Sequence, residues 1–244
     1  MPHDTTPDVE SSSEGYAKRF EGSVGRWFLD TQARVTLDLL RSIPPGSLVL
    51  DVGGGHAQLV PPLVGAGHTV VVVGSVRASR ARLEPWLRIG NCLYVGSDLA
   101  RLPFRDRTFP AALCFRLLPH FPRWPELIGE LCRVSASTVV VDYPVRRSVN
   151  IVASGLFAVK KGIEGNTRPF RLFTRGEVRR AFEEGCFTVT AERPQFLFPM
   201  AWHRLVGSAL LARALESTGR LTLLTTVFGS PLIVSAEPGQ IRGP

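Results

Sequence analysis

Leu48-Val49-Leu50-Asp51-Val52-Gly53-Gly54-Gly55-His56-Ala57 is an apolar run that breaks into three consecutive glycines. The apolar residues predict a buried parallel strand, and the glycines predict a tight turn that leads into a helix within residues 58–64. Glycine is needed in such a turn where the backbone adopts positive φ or where a ligand approaches it closely. The stretch therefore predicts either a site for a nucleotide-like ligand or an ordinary connection between a strand and a helix.

The spacing of the glycines separates two classes of nucleotide-binding turn. A dinucleotide fingerprint needs G-x-G-x-x-G with its third glycine inside the helix, but Gln58 stands at that position. The segment from Asp51 to Ala57 instead resembles the first motif of class I S-adenosylmethionine-dependent methyltransferases, (D/E)-x-G-x-G-x-G, with a small residue in the last place. The resemblance implies that Asp51 and the backbone of Gly53 and Gly55 hold the methionine end of the cofactor, S-adenosyl-L-methionine.

A second segment, from Gly96 to Phe109, resembles the pattern G-D-x-x-x-L-P-F-x-D-x-x-F-D of the same family. The resemblance implies that Asp98 accepts a hydrogen bond from the exocyclic amine of adenine, and it extends the predicted cofactor site to Leu99 and Phe115. Pro110 replaces the closing aspartate of the pattern. Since that aspartate buttresses the turn in the family, its loss bears on stability more than on binding.

The end of the predicted second strand departs from the family pattern. The strand over residues 69–73 is followed by Gly74 and Ser75, where relatives carry an acidic residue whose carboxylate takes both ribose hydroxyls. Ser75 offers one hydroxyl, and a neutral group forms a weaker hydrogen bond than a charged acceptor. How the missing carboxylate is compensated stays open at this point.

The segment Tyr16-Ala17-Lys18-Arg19-Phe20 resembles the Y-x-x-R-F that begins the leading helix of such methyltransferases. In the family that helix often folds over the cofactor, which implies a cofactor-binding role for Tyr16 and Arg19. The alternative is that Tyr16 and Phe20 only pack against the core, as aromatic residues at helical spacing commonly do.

Predicted strands and helices alternate over residues 48–143, a pattern that indicates an α/β, doubly wound sheet. The resemblance implies a Rossmann-like, seven-stranded, mostly parallel sheet with an antiparallel last strand and an added helical cap. We expect a disordered tail over residues 1–13 and a single domain over residues 14–238. Within that domain we expect N-terminal cap helices over 14–43, a lid after strand five over 145–172, and an inserted helix between strands six and seven over 199–228. The inserted helix is interpreted as a cap or a dimer helix, which leaves a homodimer open, and His203 near its start is predicted to lie on the surface.

The composition limits the classes of partner. The chain has 244 residues and a formal net charge of +8, but its basic residues are scattered arginines, which predicts a solvated surface and no nucleic acid binding. The four cysteines are far apart and form no C-x-x-C pair, so we expect free thiols, no metal site and a cytoplasmic location. The most apolar late stretch, over residues 221–236, is broken by glycine and proline and is too short to span a bilayer comfortably.

The acceptor of the methyl group should lie beyond the carboxyl ends of strands four and five. Polar residues that follow these strands are the predicted substrate-binding residues: Arg116, Tyr143, Asn150, Lys161 and Arg168. Their cations would suit an anionic or strongly polar acceptor, and a solvated helix face is the alternative. His120 is the candidate general base for a hydroxyl acceptor, since its ordinary pKa is about 6.5, and a structural role is its alternative.

The leading functional hypothesis is a methyltransferase that acts on a small, anionic or polar acceptor, with O-methylation preferred. Methyl transfer is an in-line displacement at a methyl group already primed to leave, so the protein mainly supplies alignment and a dry cavity. Neither a metal nor a protein nucleophile is then required. The alternative is a catalytically degenerate methyltransferase-fold module for binding or assembly, suggested by the missing ribose carboxylate and by Ala57 in place of the third glycine.

Overall fold

The computed structural model describes residues 8–148, 170–199, 202–204 and 207–239. Its centre is a seven-stranded sheet whose strands follow the order β3-β2-β1-β4-β5-β7-β6. The strands are β1 Leu48–Val52, β2 Thr69–Gly74, β3 Cys92–Gly96, β4 Phe109–Cys114, β5 Ser135–Tyr143, β6 Phe187–Pro194 and β7 Leu232–Pro238. Strands β1 to β5 pair in parallel, and β7 pairs antiparallel with both β5 and β6. The predicted α/β sheet with an antiparallel last strand is confirmed.

The described helices cover both faces of this sheet and the region before β1. They are α1 Asp8–Ser11, α2 Glu14–Ala17, α3 Gly22–Leu39, α4 Val60–Gly65, α5 Glu84–Arg88, α6 Trp124–Val134, α7 Arg175–Glu184, α8 Ala209–Leu221 and α9 Leu224–Phe228. Short 3-10 turns follow β1, β2 and β4, at Gly54–His56, Arg77–Leu83 and Leu118–His120. Among the described residues, no helix is long and apolar enough to cross a membrane.

Two apolar clusters hold the sheet between its helix layers. In β1 the alternation places Leu50 and Val52 in the cluster that includes α6 and α7, and Val49 in the cluster that includes α4. All three side chains are 0% exposed. A strand buried on both faces must be apolar throughout, which is why β1 and β2 appear in the sequence as continuous apolar runs. This burial fixes the carboxyl ends of β1, β2, β4 and β5 at one edge of the sheet.

Two expectations about the ends of the domain differ from the structure. The predicted disordered tail includes residues 8–13, yet Asp8–Ser11 form helix α1 and the side chain of Asp8 is fully buried. One inserted helix was predicted, but the described part of the segment contains α8 and α9, and residues 202–204 are helical as well. The turn between them puts Leu223 at φ 59°, a left-handed conformation in which a helix does not continue.

His203 is buried, although the sequence predicted a surface position. Its side chain is 1% exposed, and its Nε2 lies 2.9 Å from Oε1 of Glu216. The Glu216 carboxylate also accepts hydrogen bonds from the backbone N–H groups of Leu197 and Phe198, at 2.8 and 3.0 Å. Because a buried carboxylate needs hydrogen-bond donors, Glu216 holds helix α8 against the segment that follows β6.

Candidate functional site

The glycine turn after β1 has the backbone geometry that its sequence predicts. Gly53 has φ 78°, in the left-handed region, and its N–H donates to the carbonyl of Val73 in β2 at 2.8 Å. A Cβ on Gly54 would overlap the carboxylate of Asp51, and one on Gly55 would overlap the side chain of Ser12. Each glycine of the turn is thus required for a different reason: the backbone angle at Gly53, the nearby Asp51 at Gly54, and the nearby Ser12 at Gly55.

Asp51 is the second-last residue of β1, close to this turn. Its side chain is 2% exposed, and burial raises the pKa of Asp51 to about 7. Its Oδ1 atom has no hydrogen-bond partner among the described residues. A buried carboxylate oxygen without a donor is unfavourable unless a ligand supplies one, so Asp51 is available for a donor group of a bound molecule.

Helix α1 places a second carboxylate at the end of β2. Asp8 accepts hydrogen bonds from the backbone N–H of Ser75 at 3.0 Å, from the Ser75 hydroxyl, and from the Ser79 hydroxyl at 2.9 Å. The position next to Gly74, where the sequence lacks an acidic residue, therefore has one from the amino-terminal segment. A Cβ on Gly74 would lie 3.1 Å from Oδ2 of Asp8, so glycine leaves room for this approach.

The space above the glycine turn is nearly closed. A cavity of about 10 Å³ remains there, which is room for about one water molecule. Its lining comprises Ser11, Asp51, Gly53, Gly54, His56, Gln58, Leu59, Phe115 and Arg116. Ser11 belongs to α1, and small-molecule sites are normally some 300–1,000 Å³, so a nucleotide-sized ligand needs α1 to move.

An aromatic cluster from the leading helices covers the other side of the turn. The ring of Tyr16 lies 5.5 Å from that of His56, and the ring of Phe20 lies 5.6 Å from it, both edge to face. The Arg19 guanidinium lies 5.0 Å from the Tyr16 ring. His56 is buried, and burial, with Arg116 and Arg82 nearby, lowers its pKa to about 3, so the imidazole is neutral at physiological pH. Tyr16 thus lies beside the turn, and the cofactor-binding role of Tyr16 and Arg19 stays a prediction.

Arg116 is held at the carboxyl end of β4 by a polar network. Its backbone N–H donates to Asp142 Oδ1 at 2.5 Å, and its guanidinium donates to Gln32 Oε1 at 2.6 Å and stacks 4.0 Å from the Phe20 ring. Gln58 donates to the same Gln32 oxygen at 2.6 Å. Burial raises the pKa of Asp142 to about 6, although the N–H and the charge of Arg116 act against this rise. Arg116 thus links α3, β4 and β5 next to the glycine turn. Its Nη1 atom has no hydrogen-bond partner among the described residues, so its predicted contact with the acceptor stays a prediction.

The other predicted acceptor residues are in different surroundings. Tyr143 is 1% exposed and packs against Phe173 in the core, which contradicts its predicted contact with a substrate. His120 lies in the 3-10 turn after β4, partly exposed, with its ring 5.5 Å from that of Phe170. Asn150, Lys161 and Arg168 lie outside the described residues.

Asp98 and Leu99 follow β3 at the same edge of the sheet. The Asp98 carboxylate accepts a hydrogen bond from the N–H of Ala100 at 2.9 Å and lies 3.3 Å from Nη1 of Arg123. Its side chain is about half exposed, so the carboxylate remains open to a further donor. Leu99 is fully buried in the core and Phe115 is 8% exposed, so each shapes the site by packing.

Three residues of this site were missed by the sequence reasoning: Asp8, Gln32 and Asp142. Gln32 and Asp142 are polar and buried, at 4% exposure each, within an apolar helix and an apolar strand. A polar residue among periodic apolar residues can be recognised in the sequence. Asp142 also stands near the carboxyl end of β5, where ligands bind in parallel sheets. No local signal marks Asp8, because its partners lie in a segment far along the chain.

Comparisons with known proteins agree with this geometry. Residues 50–139 match the family model described as a methyltransferase domain. Over 97 residues the chain is 32% identical to sterol methyltransferase-like 2 of Botryococcus braunii, and the match covers 38% of this chain and 25% of that protein. The chain therefore spans about a quarter of the length of this relative.

Solved structures share the fold at low sequence identity. Magnesium protoporphyrin IX methyltransferase from Synechocystis PCC 6803, with bound SAH, superposes with a TM-score of 0.62 and 14% identity, covering 92% of this chain and 93% of that one. Geranyl diphosphate C-methyltransferase from Streptomyces coelicolor gives a TM-score of 0.61 and 17% identity, covering 86% and 79%. At these identities the similarity establishes the fold.

Proposed function

Residues 50–139 belong to the methyltransferase domain family of the class I, S-adenosylmethionine-dependent type, and from this membership we propose that the protein transfers a methyl group from S-adenosyl-L-methionine to a small molecule. The observation that carries the proposal is the glycine turn above Asp51. There, left-handed backbone at Gly53 lies beside a buried carboxylate oxygen that has no donor among the described residues. The relatives that share the fold include a protein solved with bound SAH.

The residues of the site fit this cofactor by their chemistry. When bound, S-adenosyl-L-methionine supplies a methyl group on a sulfonium. Asp51 would accept from the amino group of the methionine end, and the turn at Gly53 and Gly55 would let the backbone approach it. Asp98, about half exposed, would accept from the adenine amine. Leu99, Phe115, Tyr16 and Arg19 would line the site and help exclude water, and Ser75, after the end of β2, would face the ribose.

Helix α1 would have to leave the glycine turn before the cofactor enters. The cavity of about 10 Å³ and the contact of Ser12 with Gly55 support this step. When α1 covers the glycine turn, Asp8 makes three hydrogen bonds at the end of β2. These bonds stabilise this closed form of the protein in the absence of cofactor. The apparent affinity for the cofactor is then reduced by the fraction of molecules that are closed.

Asp8→Ala should therefore tighten the binding of S-adenosyl-L-methionine. Without its three hydrogen bonds the closed form loses population, and we expect the dissociation constant to fall by about tenfold. Calorimetric titration of the purified protein measures the change. Asp30→Ala, at an exposed position of α3, removes the same charge and should leave the constant unchanged.

Weaker binding by Asp8→Ala would contradict the displacement of α1. It would mean that the Asp8 carboxylate contacts the cofactor and itself replaces the missing ribose acceptor.

We propose that the acceptor is small and anionic or polar, and that O-methylation is the reaction, with His120 as the base. Its position after β4, at the edge where the glycine turn also lies, supports this role. The relatives carry names that refer to a sterol, a protoporphyrin and geranyl diphosphate, all small molecules. Asn150, Lys161 and Arg168 stay candidates for orienting an anion, and so does Arg116 through its Nη1 atom, which has no partner among the described residues.

His120→Ala should lower methyl transfer, because it removes the group that would take the proton of a hydroxyl acceptor. Labelled methyl transfer into a panel of hydroxyl, amine and carboxylate acceptors measures the loss. Cofactor affinity should not change. A variant that methylates a hydroxyl acceptor as fast as the wild type does would remove His120 from catalysis.

A binding module that has lost catalysis is the second candidate function, and the closed site above the glycine turn favours it. The same calorimetry separates the two. If neither the wild type nor Asp8→Ala binds S-adenosyl-L-methionine or its demethylated product, the binding module is the better description.

A further inference from the structure

Helix α8 has three different sides along its length. Ala212, Glu216 and Gly219 form the side that is buried in the protein. At 100° per residue, Leu211 and Leu215 lie next to this buried side, and Leu210 and Leu221 lie opposite it. The remaining side carries Arg213 and Arg220. The outward side of a helix at a solvated surface is normally polar. Helix α8 instead exposes leucines on its outward side.

The turn after α8 and helix α9 carry further exposed apolar residues. We call the whole group the leucine face, and its members, between 44% and 85% exposed, are Leu210, Leu211, Leu215, Leu221, Leu223, Leu224 and Val227. Leu221 and Leu210 are the most exposed, and Leu221 and Leu223 lie at the turn between the two helices. A group of exposed apolar residues on this scale marks an interaction surface.

The charges around the leucine face have one sign. Between residues 202 and 228, the acidic residue of the described part is Glu216, and it is buried. Arg213 and Arg220 flank the face on α8.

At the other end of the leucine face, Val227 also lines a cleft of about 660 Å³ together with Arg146, Arg147 and Arg175. Arg175 is partly neutralised by Glu192 at 3.1 Å, and the Arg147 guanidinium lies 5.8 Å from the Phe228 ring.

We propose that the leucine face docks on the surface of an anionic lipid bilayer. An apolar helix side flanked by arginines is the arrangement of helices that lie in the bilayer interface, with leucines among the acyl chains and cations at the headgroups. A second copy of the chain fits less well, because each copy carries a net charge of +8 and arginines border the face. The cleft with Arg146 and Arg147 would then face the headgroup layer.

The test is the binding of the full chain to vesicles of phosphatidylcholine alone and of phosphatidylcholine with phosphatidylglycerol. The wild type should cosediment with the anionic vesicles and bind the neutral ones at least about tenfold more weakly, since each basic residue near such a surface contributes measurably. Adding salt should weaken the binding to anionic vesicles, because exposed charges are screened.

Two sets of variants separate the apolar and the charged contributions. Leu221→Gln with Leu223→Gln should weaken binding to anionic vesicles by at least about tenfold, because the loss of buried apolar surface is large. Ile89→Gln, at a position that is 65% exposed next to α5, is the matched control and should bind as the wild type does. Arg213→Gln with Arg220→Gln should weaken binding by about tenfold. Arg101→Gln with Arg105→Gln, in the exposed loop before β4, removes the same charge and should have a smaller effect than this pair.

Three outcomes would overturn the proposal. One is no binding to anionic vesicles. Another is an equal loss of binding in the control pair at Arg101 and Arg105, which would mean that net charge alone attracts the protein. The third is a dimer in sedimentation velocity that Leu221→Gln with Leu223→Gln converts to a monomer, with vesicle binding absent, which would assign the leucine face to a second copy of the chain.

Discussion

Gly53→Val should abolish measurable binding of S-adenosyl-L-methionine, with the dissociation constant raised by at least about a hundredfold. The backbone at Gly53 has φ 78°, which a β-branched residue adopts only with strain. A Cβ at this position would also lie 3.0 Å from Cδ2 of Leu117, so the turn would shift away from the geometry that admits a ligand. Calorimetric titration below the unfolding transition measures the loss.

Gly65→Val is the control for this prediction. Gly65 ends helix α4, has no atom within 4 Å of the place a Cβ would take, and is not in the left-handed region. The variant should fold and bind as the wild type does. Unchanged affinity in folded Gly53→Val would contradict the placement of the cofactor at the glycine turn.

Glu216→Ala should lower the free energy of unfolding by about 3 kcal/mol, because it leaves buried donors without an acceptor. The carboxylate accepts from the N–H groups of Leu197 and Phe198, and it lies 2.9 Å from His203. All three partners lie in the segment between β6 and α8. Chemical denaturation measures the change, and we also expect earlier proteolysis between β6 and β7 in the variant.

Glu184→Ala, at an exposed position at the end of α7, tests whether the effect comes from burial. It should change the free energy of unfolding by less than about 0.5 kcal/mol. A similarly small effect of Glu216→Ala would mean that water replaces the carboxylate, and that α8 is held mainly by its apolar contacts. Those contacts include Ala212, which packs with the cluster of Trp27, Phe28 and Phe196.

Glu216 lies on the buried side of α8, away from Leu210 and Leu221. The orientation of α8 in which Glu216 makes its hydrogen bonds is thus also the one that exposes these leucines. A helix held by this carboxylate presents the leucines in one orientation. The polar anchor and the apolar surface therefore belong to the same element.

The sequence by itself determined the fold and the position of the glycine turn. The continuous apolar runs of β1 and β2 are local patterns, and so is the glycine run after Asp51, so each could be interpreted without knowledge of its neighbours. The alternation of strands and helices then restricts the sheet to a doubly wound order. The seven strands in the structure follow that order, with β7 antiparallel.

The tertiary structure alone decided which polar side chains meet at the site. Asp8 appeared to belong to a disordered tail, because its partners, Ser75 and Ser79, are brought to it only when α1 packs on the end of β2. His203 appeared to be a surface residue for the same reason, since Glu216 lies on another helix. Hydrogen bonds between side chains far apart in the chain have no periodic signature, and their geometry exists only after the apolar core has placed the backbone.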